Sequence, residues 1–130
     1  MISDRELYGP FPPEVYRNRA LLDLAKNEAC VRCGNQEPGV IVPCHYHGPF
    51  AHLFGRGGSQ KPDDDMTAHL CFGCHNLFDQ LALDGGPWKS EEEKALEFVI
   101  LILRTRRVLR WRGKVVIAIN NKRTLRVVDQ

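Results

Sequence analysis

Residues 30–34, Cys-Val-Arg-Cys-Gly, and residues 70–75, Leu-Cys-Phe-Gly-Cys-His, carry the same C-x-x-C spacing at two separated points of the chain. Each such pair sets two thiolates on one tight turn, and two turns together complete a tetrahedral four-sulfur site for zinc. Cys30, Cys33, Cys71 and Cys74 are therefore the expected metal ligands, with Gly34 supporting the first knuckle. Between Cys33 and Cys71 lie 37 residues, more than the common ribbon spacing, so a substantial insertion separates the knuckles. Buried free thiols or two redox pairs are the competing reading, and they give no reason for the matched spacing. A site closed by four thiolates is structural; it leaves no open position for chemistry and supplies folding free energy that a small core lacks.

All five cysteines and all five histidines fall between Cys30 and His75, and the other 84 residues have none. Packing alone does not explain that clustering. The chain has 130 residues, 43% hydrophobic and 26% charged, the mix of one ordinary globular domain. No run approaches the roughly 18–20 apolar residues of a membrane helix. The N-terminus, with Asp4, Glu6 and several prolines, lacks a signal-peptide layout. A soluble protein in a reducing cytoplasm is expected, where cysteines bind metal more often than they form disulfides.

Residues 1–13 hold three prolines and read as an extended arm, with one domain over residues 14–130. Glu14 to Asn27 has helical spacing, and Gly39 to Pro43 reads as a short strand ended by the proline. Gly48 to Asp65 is loop-like. A short helix is expected from near Cys71 to about Leu83, stopped by Gly85, Gly86 and Pro87. Ser90 and Glu93 form a capping box that opens a helix from Glu91 to about Thr105, with Leu96, Val99, Ile100 and Leu103 as its apolar face. The tail reads as strands Val108–Arg112, Lys114–Ile119 and Thr124–Val128, with Gly113 and Asn120-Asn121 as turns. The fold class is small α+β.

Charge divides along the chain. Residues 1–103 hold nine Lys/Arg against fifteen Asp/Glu, or −6; residues 104–130 hold nine against Asp129 alone, or +8. A basic tail behind an acidic body points to a polyanion, while a solvated charged face is the plainer explanation. Trp111 between Arg110 and Arg112 adds a ring that can stack on bases.

The insertion carries Cys44, His45, His47, His52, Lys61, Asp63 to Asp65 and His69, and His75 follows the fourth thiolate. Taken singly, His47, His52 and His69 read as surface or hydrogen-bonded histidines. His45 closely follows the expected strand, and His75 lies in the first turn of the helix that the knuckle anchors. A strand and helix pinned by one zinc can bring the two imidazoles together, one taking a proton from water while the other holds a divalent metal.

The order C30-V-R-C33-G34, V40-I-V-P-C44-H45, G55-R-G57-G-S-Q-K61-P-D-D64, L70-C71-F-G-C74-H75 resembles the zinc-containing HNH (His-Me finger, ββα-metal) endonucleases, and most closely the YbcO-like prophage nuclease family. The likeness spans about residues 17–118 and includes the basic segment beginning at Arg104. It implies a ββα-metal core around the four-cysteine zinc, with an N-terminal helix and a C-terminal helix plus β-hairpin. By position, His45 matches the general base and His75 a ligand of the catalytic ion. Asp64 occupies the middle position, and Lys61 contacts a phosphate or steadies the loop. The ion, Mg²⁺ or Mn²⁺, would be held by His75 and Asp64, with His52 as a further candidate. Cys44 departs from the family, which has Asp or His there.

The implied function is a metal-dependent DNA endonuclease, phage- or prophage-encoded, in DNA recombination or processing. Its partners would be duplex, single-stranded or branched DNA and recombination or single-strand-binding proteins. Arg104, Arg106, Arg107, Arg110, Arg112 and Lys114 would grip phosphates. The alternative is a non-catalytic zinc-ribbon module that binds DNA or assists recombination. A third reading, a protein-interaction module, is favoured if those arginines pair with the acidic body.

Overall fold

A computed structural model describes residues 16–54, 61–80, 86–118 and 124–128; the expected N-terminal arm and the Asn120-Asn121 turn lie outside them. The elements are helix α1 (Arg19–Asp23) running into a 3₁₀ turn (Leu24–Asn27), strand β1 (Ile41–His45), a 3₁₀ turn (Ala51–Phe54), strand β2 (Thr67–Cys71), helix α2 (Phe72–Asp79), helix α3 (Glu91–Trp111), and strands β3 (Val115–Ala118) and β4 (Thr124–Val127). β1 pairs with β2 and β3 with β4, each an antiparallel two-stranded sheet, which makes the small α+β class a finding.

α1 is shorter than its periodicity predicts. Its cap is Asn18, whose side chain accepts from the Leu21 N–H at 3.1 Å. The residues before it serve another element: Tyr16 N–H donates to Asp63 Oδ1 at 2.8 Å and Asn18 N–H to Asp64 Oδ2 at 2.7 Å. Those donors hold an extended segment against residues 61–64 instead of opening a helix.

β1 runs through Pro43 to His45 rather than stopping at the proline. Pro43 stands opposite His69, whose own backbone groups face away from β1: its N–H donates to Thr105 Oγ1 at 3.2 Å, and its C=O accepts from the Val31 N–H at 3.0 Å. The ladder therefore asks for no donor at that position, and the missing proline N–H costs nothing there.

Two corrections concern the helices. α2 ends at Asp79, short of Leu83. α3 continues to Trp111, so the expected strand Val108–Arg112 is its last turn. Arginines in that turn oppose the helix dipole favourably, and Leu109 packs with Leu21 and Val115. The inward face of α3 is Phe98, Leu101, Ile102, Thr105 and Leu109, while Leu96, Ile100 and Leu103 are exposed. Ser90 caps the helix as expected, its side chain accepting from Glu93 N–H at 3.1 Å.

The main core gathers Ala68 and Leu70 of β2, Cys44, Phe78, Trp88, Phe98, Leu101 and Ile102. Phe78 meets Phe98 edge-on at 4.9 Å between centroids and Trp88 at 4.7 Å. Burial pushes the His69 imidazole down to about 4, so it sits neutral inside β2.

Glu28 is buried beside the C-terminal cap of α3, with Arg112 Nη1 2.6 Å from its Oε2. The contact is an ion pair out of line for a hydrogen bond, and neither carboxylate oxygen has a hydrogen-bond partner among the described residues. Burial pushes the Glu28 carboxyl up, with Arg112 and Lys114 opposing.

Two outcomes follow. Thr105→Val keeps the shape but leaves the His69 N–H unpaired, and urea unfolding should show a loss of about 1–3 kcal/mol. Arg112→Ala should raise the folded pKa of Glu28 further above its ordinary 4.5. A raised carboxyl favours folding below its unfolded pKa and loses that advantage as pH rises through the folded one. The deficit relative to wild type should therefore grow as pH rises above the ordinary carboxylate range, reaching roughly 1 kcal/mol because the arginine is half exposed.

Candidate functional site

Cys30 and Cys33 occupy the knuckle after the 3₁₀ turn, while Cys71 and Cys74 bracket the junction of β2 and α2. Gly34 closes the first turn with φ +81°, its N–H donating to Cys30 C=O at 2.9 Å. The sulfurs are pre-oriented by backbone donors, with Cys33 N–H on Cys30 Sγ and Cys74 N–H on Cys71 Sγ, each at 3.5 Å.

All four sulfurs lie within 4.8 Å of one another. Cys33 Sγ and Cys71 Sγ stand 3.7 Å apart, close to the edge of roughly 3.8 Å that a tetrahedron with ~2.3 Å Zn–S bonds requires. The four residues are positioned to hold a metal ion, as their spacing predicts.

Thiols this close cannot all ionise without a cation. Burial raises Cys30, but backbone N–H groups of Cys33, Cys71 and Arg32 outweigh it and leave that thiol at about 7. Cys74 is pushed up to about 12, first by burial and then by its sulfur neighbours, with Arg32 opposing. Arg32 ties the knuckle to α3, its Nη1 3.7 Å from Cys74 Sγ and its Nε 3.0 Å from Glu97 Oε1, while Trp88 Nε1 donates to the other Glu97 oxygen.

A second constellation lies at the far end of the β1–β2 hairpin. His45 ends β1, nearly buried, with Nε2 2.9 Å from Asp64 Oδ1. Asp64 is itself buried, holds Asn18 N–H through Oδ2, and has Arg17 Nη1 at 3.5 Å. On α2, His75 Nε2 stands 3.2 Å from Asp79 Oδ2. His45 and Asp79 both line one cavity of about 500 Å³, with Tyr46, His47, Glu91 and Lys94 among its other walls. One member of each His–Asp pair, His45 of the first and Asp79 of the second, thus faces the same space.

Asp79 escaped the sequence reading, although His75-x-x-x-Asp79 puts the two one helical turn apart. Asp64 is committed to His45. Among the described residues, the cysteine set is the one group of three or more His, Cys, Asp or Glu placed to hold an ion, so Asp64, His75 and His52 do not form such a set. His52 is exposed beside Phe50. The exposed Lys61 lends its carbonyl to Arg17 Nη2 at 2.7 Å. Cys44 is a core thiol, pushed up to about 12 chiefly by burial, with Val42 C=O 3.6 Å from its sulfur.

The six basic residues divide. Arg104 Nη1 donates to Val31 C=O at 2.8 Å, Arg106 Nε donates to Asp65 C=O at 3.2 Å, and Arg112 faces Glu28. Arg107 stacks on Trp111 at 4.2 Å; Arg110 is exposed and Lys114 half-buried. No helix among the described residues is long and apolar enough to cross a membrane. Compared with protein-family models, curated proteins and solved structures, the chain matches none.

Removal of metal tests the first constellation. A chelator should abolish the folding transition, because in a domain this small the ion contributes about 10 kcal/mol or more to the folded state. Cys33→Ser should lower bound zinc, measured by a colorimetric chelator, whereas Cys44→Ser should leave it unchanged.

Proposed function

We propose that the chain is an HNH-type endonuclease that hydrolyses DNA phosphodiester bonds, with a structural zinc in the four-thiolate site. The observation that supports this reading is that His45, paired with Asp64, and Asp79, paired with His75, line one cavity. A hairpin followed by a helix, with one histidine closing the first strand and another in the helix, is also the order the sequence resemblance implies. That resemblance alone points to phage recombination or DNA processing.

In this reading Asp64 is a positioning residue. Its carboxylate on Nε2 fixes the proton there and leaves Nδ1 of His45 as the basic nitrogen that takes a proton from water. The ligand role that the resemblance gives Asp64 passes to Asp79, which with His75 would hold a Mg²⁺ or Mn²⁺ ion. Such an ion supplies charge stabilisation for the phosphorane and the leaving oxygen. Lys94, with Nζ 2.6 Å from Gln80 C=O, is the lysine on the cavity wall and would meet an incoming phosphate there.

A non-catalytic interaction module is the second reading, and the engagement of Arg104, Arg106 and Arg112 within the chain favours it. The exposed arginines stand at the opposite end of α3 from the cavity, about 20 Å along the helix, or roughly six nucleotides of strand.

Zinc-loaded protein assayed on supercoiled plasmid, single-stranded DNA and a four-way junction should nick in Mg²⁺ or Mn²⁺ and not in their absence. His45→Ala and Asp79→Asn should each lower the rate by about 10²–10⁴-fold with zinc content unchanged. Wild type as silent as His45→Ala on every substrate would leave the interaction module standing.

A further inference from the structure

The solvent side of α3 carries a second stripe, opposite the one that enters the core. Glu93, Leu96, Ile100, Leu103, Arg107 and Trp111 succeed one another at three- and four-residue steps and so share one face. Leu96 is 61% exposed, Ile100 44%, Leu103 57% and Trp111 72%. Together they leave on the order of 400–500 Å² of apolar surface in one band, within the roughly 300–600 Å² of a monomer's largest patch, which is often functional.

The ends of the band have opposite charge. Glu91, Glu92 and Glu93 fill the first turn, and Arg107 and Arg110 point outward in the last two turns. Arg106 and Arg112, by contrast, are turned onto Asp65 and Glu28. The apolar residues sit between the acidic and basic ends, so the face is complementary to itself when one copy is reversed.

We propose that this face is the interface of an antiparallel homodimer, in which a second copy of the chain lays its own α3 along the first. A two-fold axis near Ile100 and Leu103 sets Ile100 against Leu103 of the second copy and Leu96 against the aliphatic stem of its Arg107. Glu92 and Glu93 then lie beside its Arg110, and the contact repeats at the other end because a two-fold interface uses the same patch twice. A parallel arrangement would place arginine against arginine and glutamate against glutamate, which charge repulsion disfavours. The apolar band falls short of the roughly 800 Å² per partner of a standard interface, so the dimer is salt-sensitive and dissociates in the micromolar range. A polyanion seated on Arg107 and Arg110 is the competing occupant.

Sedimentation equilibrium of the full zinc-loaded chain tests this from about 1 µM to about 200 µM, the range in which an interface of this size separates. Wild type should dimerise at low salt and shift toward monomer at high salt, and Ile100→Glu should abolish dimerisation with helix content and zinc unchanged. Glu93→Arg and Arg110→Glu should each weaken self-association at least tenfold. Mixed together, they should form a heterodimer, because each supplies the charge the other lacks at both ends. A wild type that stays monomeric throughout overturns the proposal, as does a dimer that tolerates Ile100→Glu. A mixture no tighter than the two single variants overturns the antiparallel geometry. A monomer whose DNA binding falls in Ile100→Glu and Arg110→Glu gives the face to nucleic acid instead.

Discussion

Cys71 is where strand, helix and metal site meet. It ends β2 opposite Ile41, caps α2 by accepting from the Cys74 N–H, and places its sulfur 3.7 Å from Cys33. The direction in which α2 leaves the hairpin is thereby tied to a knuckle 38 residues away in sequence. The position of Asp79 relative to His45 depends on that direction and on Phe78, which packs the other end of the helix against Phe98 and Trp88. The core around Leu70 and Leu101 is small, and a domain of this size commonly relies on a staple of this kind. An ion bound among the four thiolates would hold the second constellation in shape without touching it.

Strand alternation sorts the residues of β1. Successive side chains point to opposite faces, so Cys44 enters the core and His45 turns to the cavity. The sulfur of Cys44 and the imidazole of its neighbour His45 therefore face different surroundings. The Cys44 thiol stays neutral because burial penalises its thiolate. The same rule applies to β2, where every residue is buried and His69 is kept neutral between the hairpin and α3.

The four-cysteine cluster was legible in the sequence because C-x-x-C spacing is a requirement of metal chemistry and owes little to distant contacts. The Ser90 cap was legible for the same local reason. The inward face of α3 was not, because two stripes satisfy the helical period and the polar Thr105 makes the true one look worse. What selects it is the hydrogen bond that Thr105 accepts from a strand residue 36 positions earlier. Pro43 misled for a related reason: whether a strand tolerates proline depends on where the facing residue directs its own backbone groups. The pairing of Asp64 with His45 crosses 19 residues and the insertion loop, and no local pattern announces it. His75–Asp79 was within reach of a helical-spacing argument, because residues four apart share one helix face.

The basic tail shows how a charge count differs from a charge distribution. Read along the chain, an excess of +8 follows a body of −6. In space, Arg112 lies against buried Glu28 and Arg106 against Asp65, so part of that excess is the counter-charge of the body. A carboxylate such as Glu28 is held in the interior by its arginine, and the arginine is correspondingly withdrawn from any external anion. Since each phosphate contact contributes about 0.9 to the salt slope of duplex binding, a polyanion at this end of α3 would meet Arg107, Arg110 and Lys114 rather than the full excess. Those charges lie next to an uncovered apolar band, so what occupies the face must satisfy leucine and isoleucine as well as arginine. A phosphate backbone meets only the second demand, whereas the reversed helix of another copy meets both.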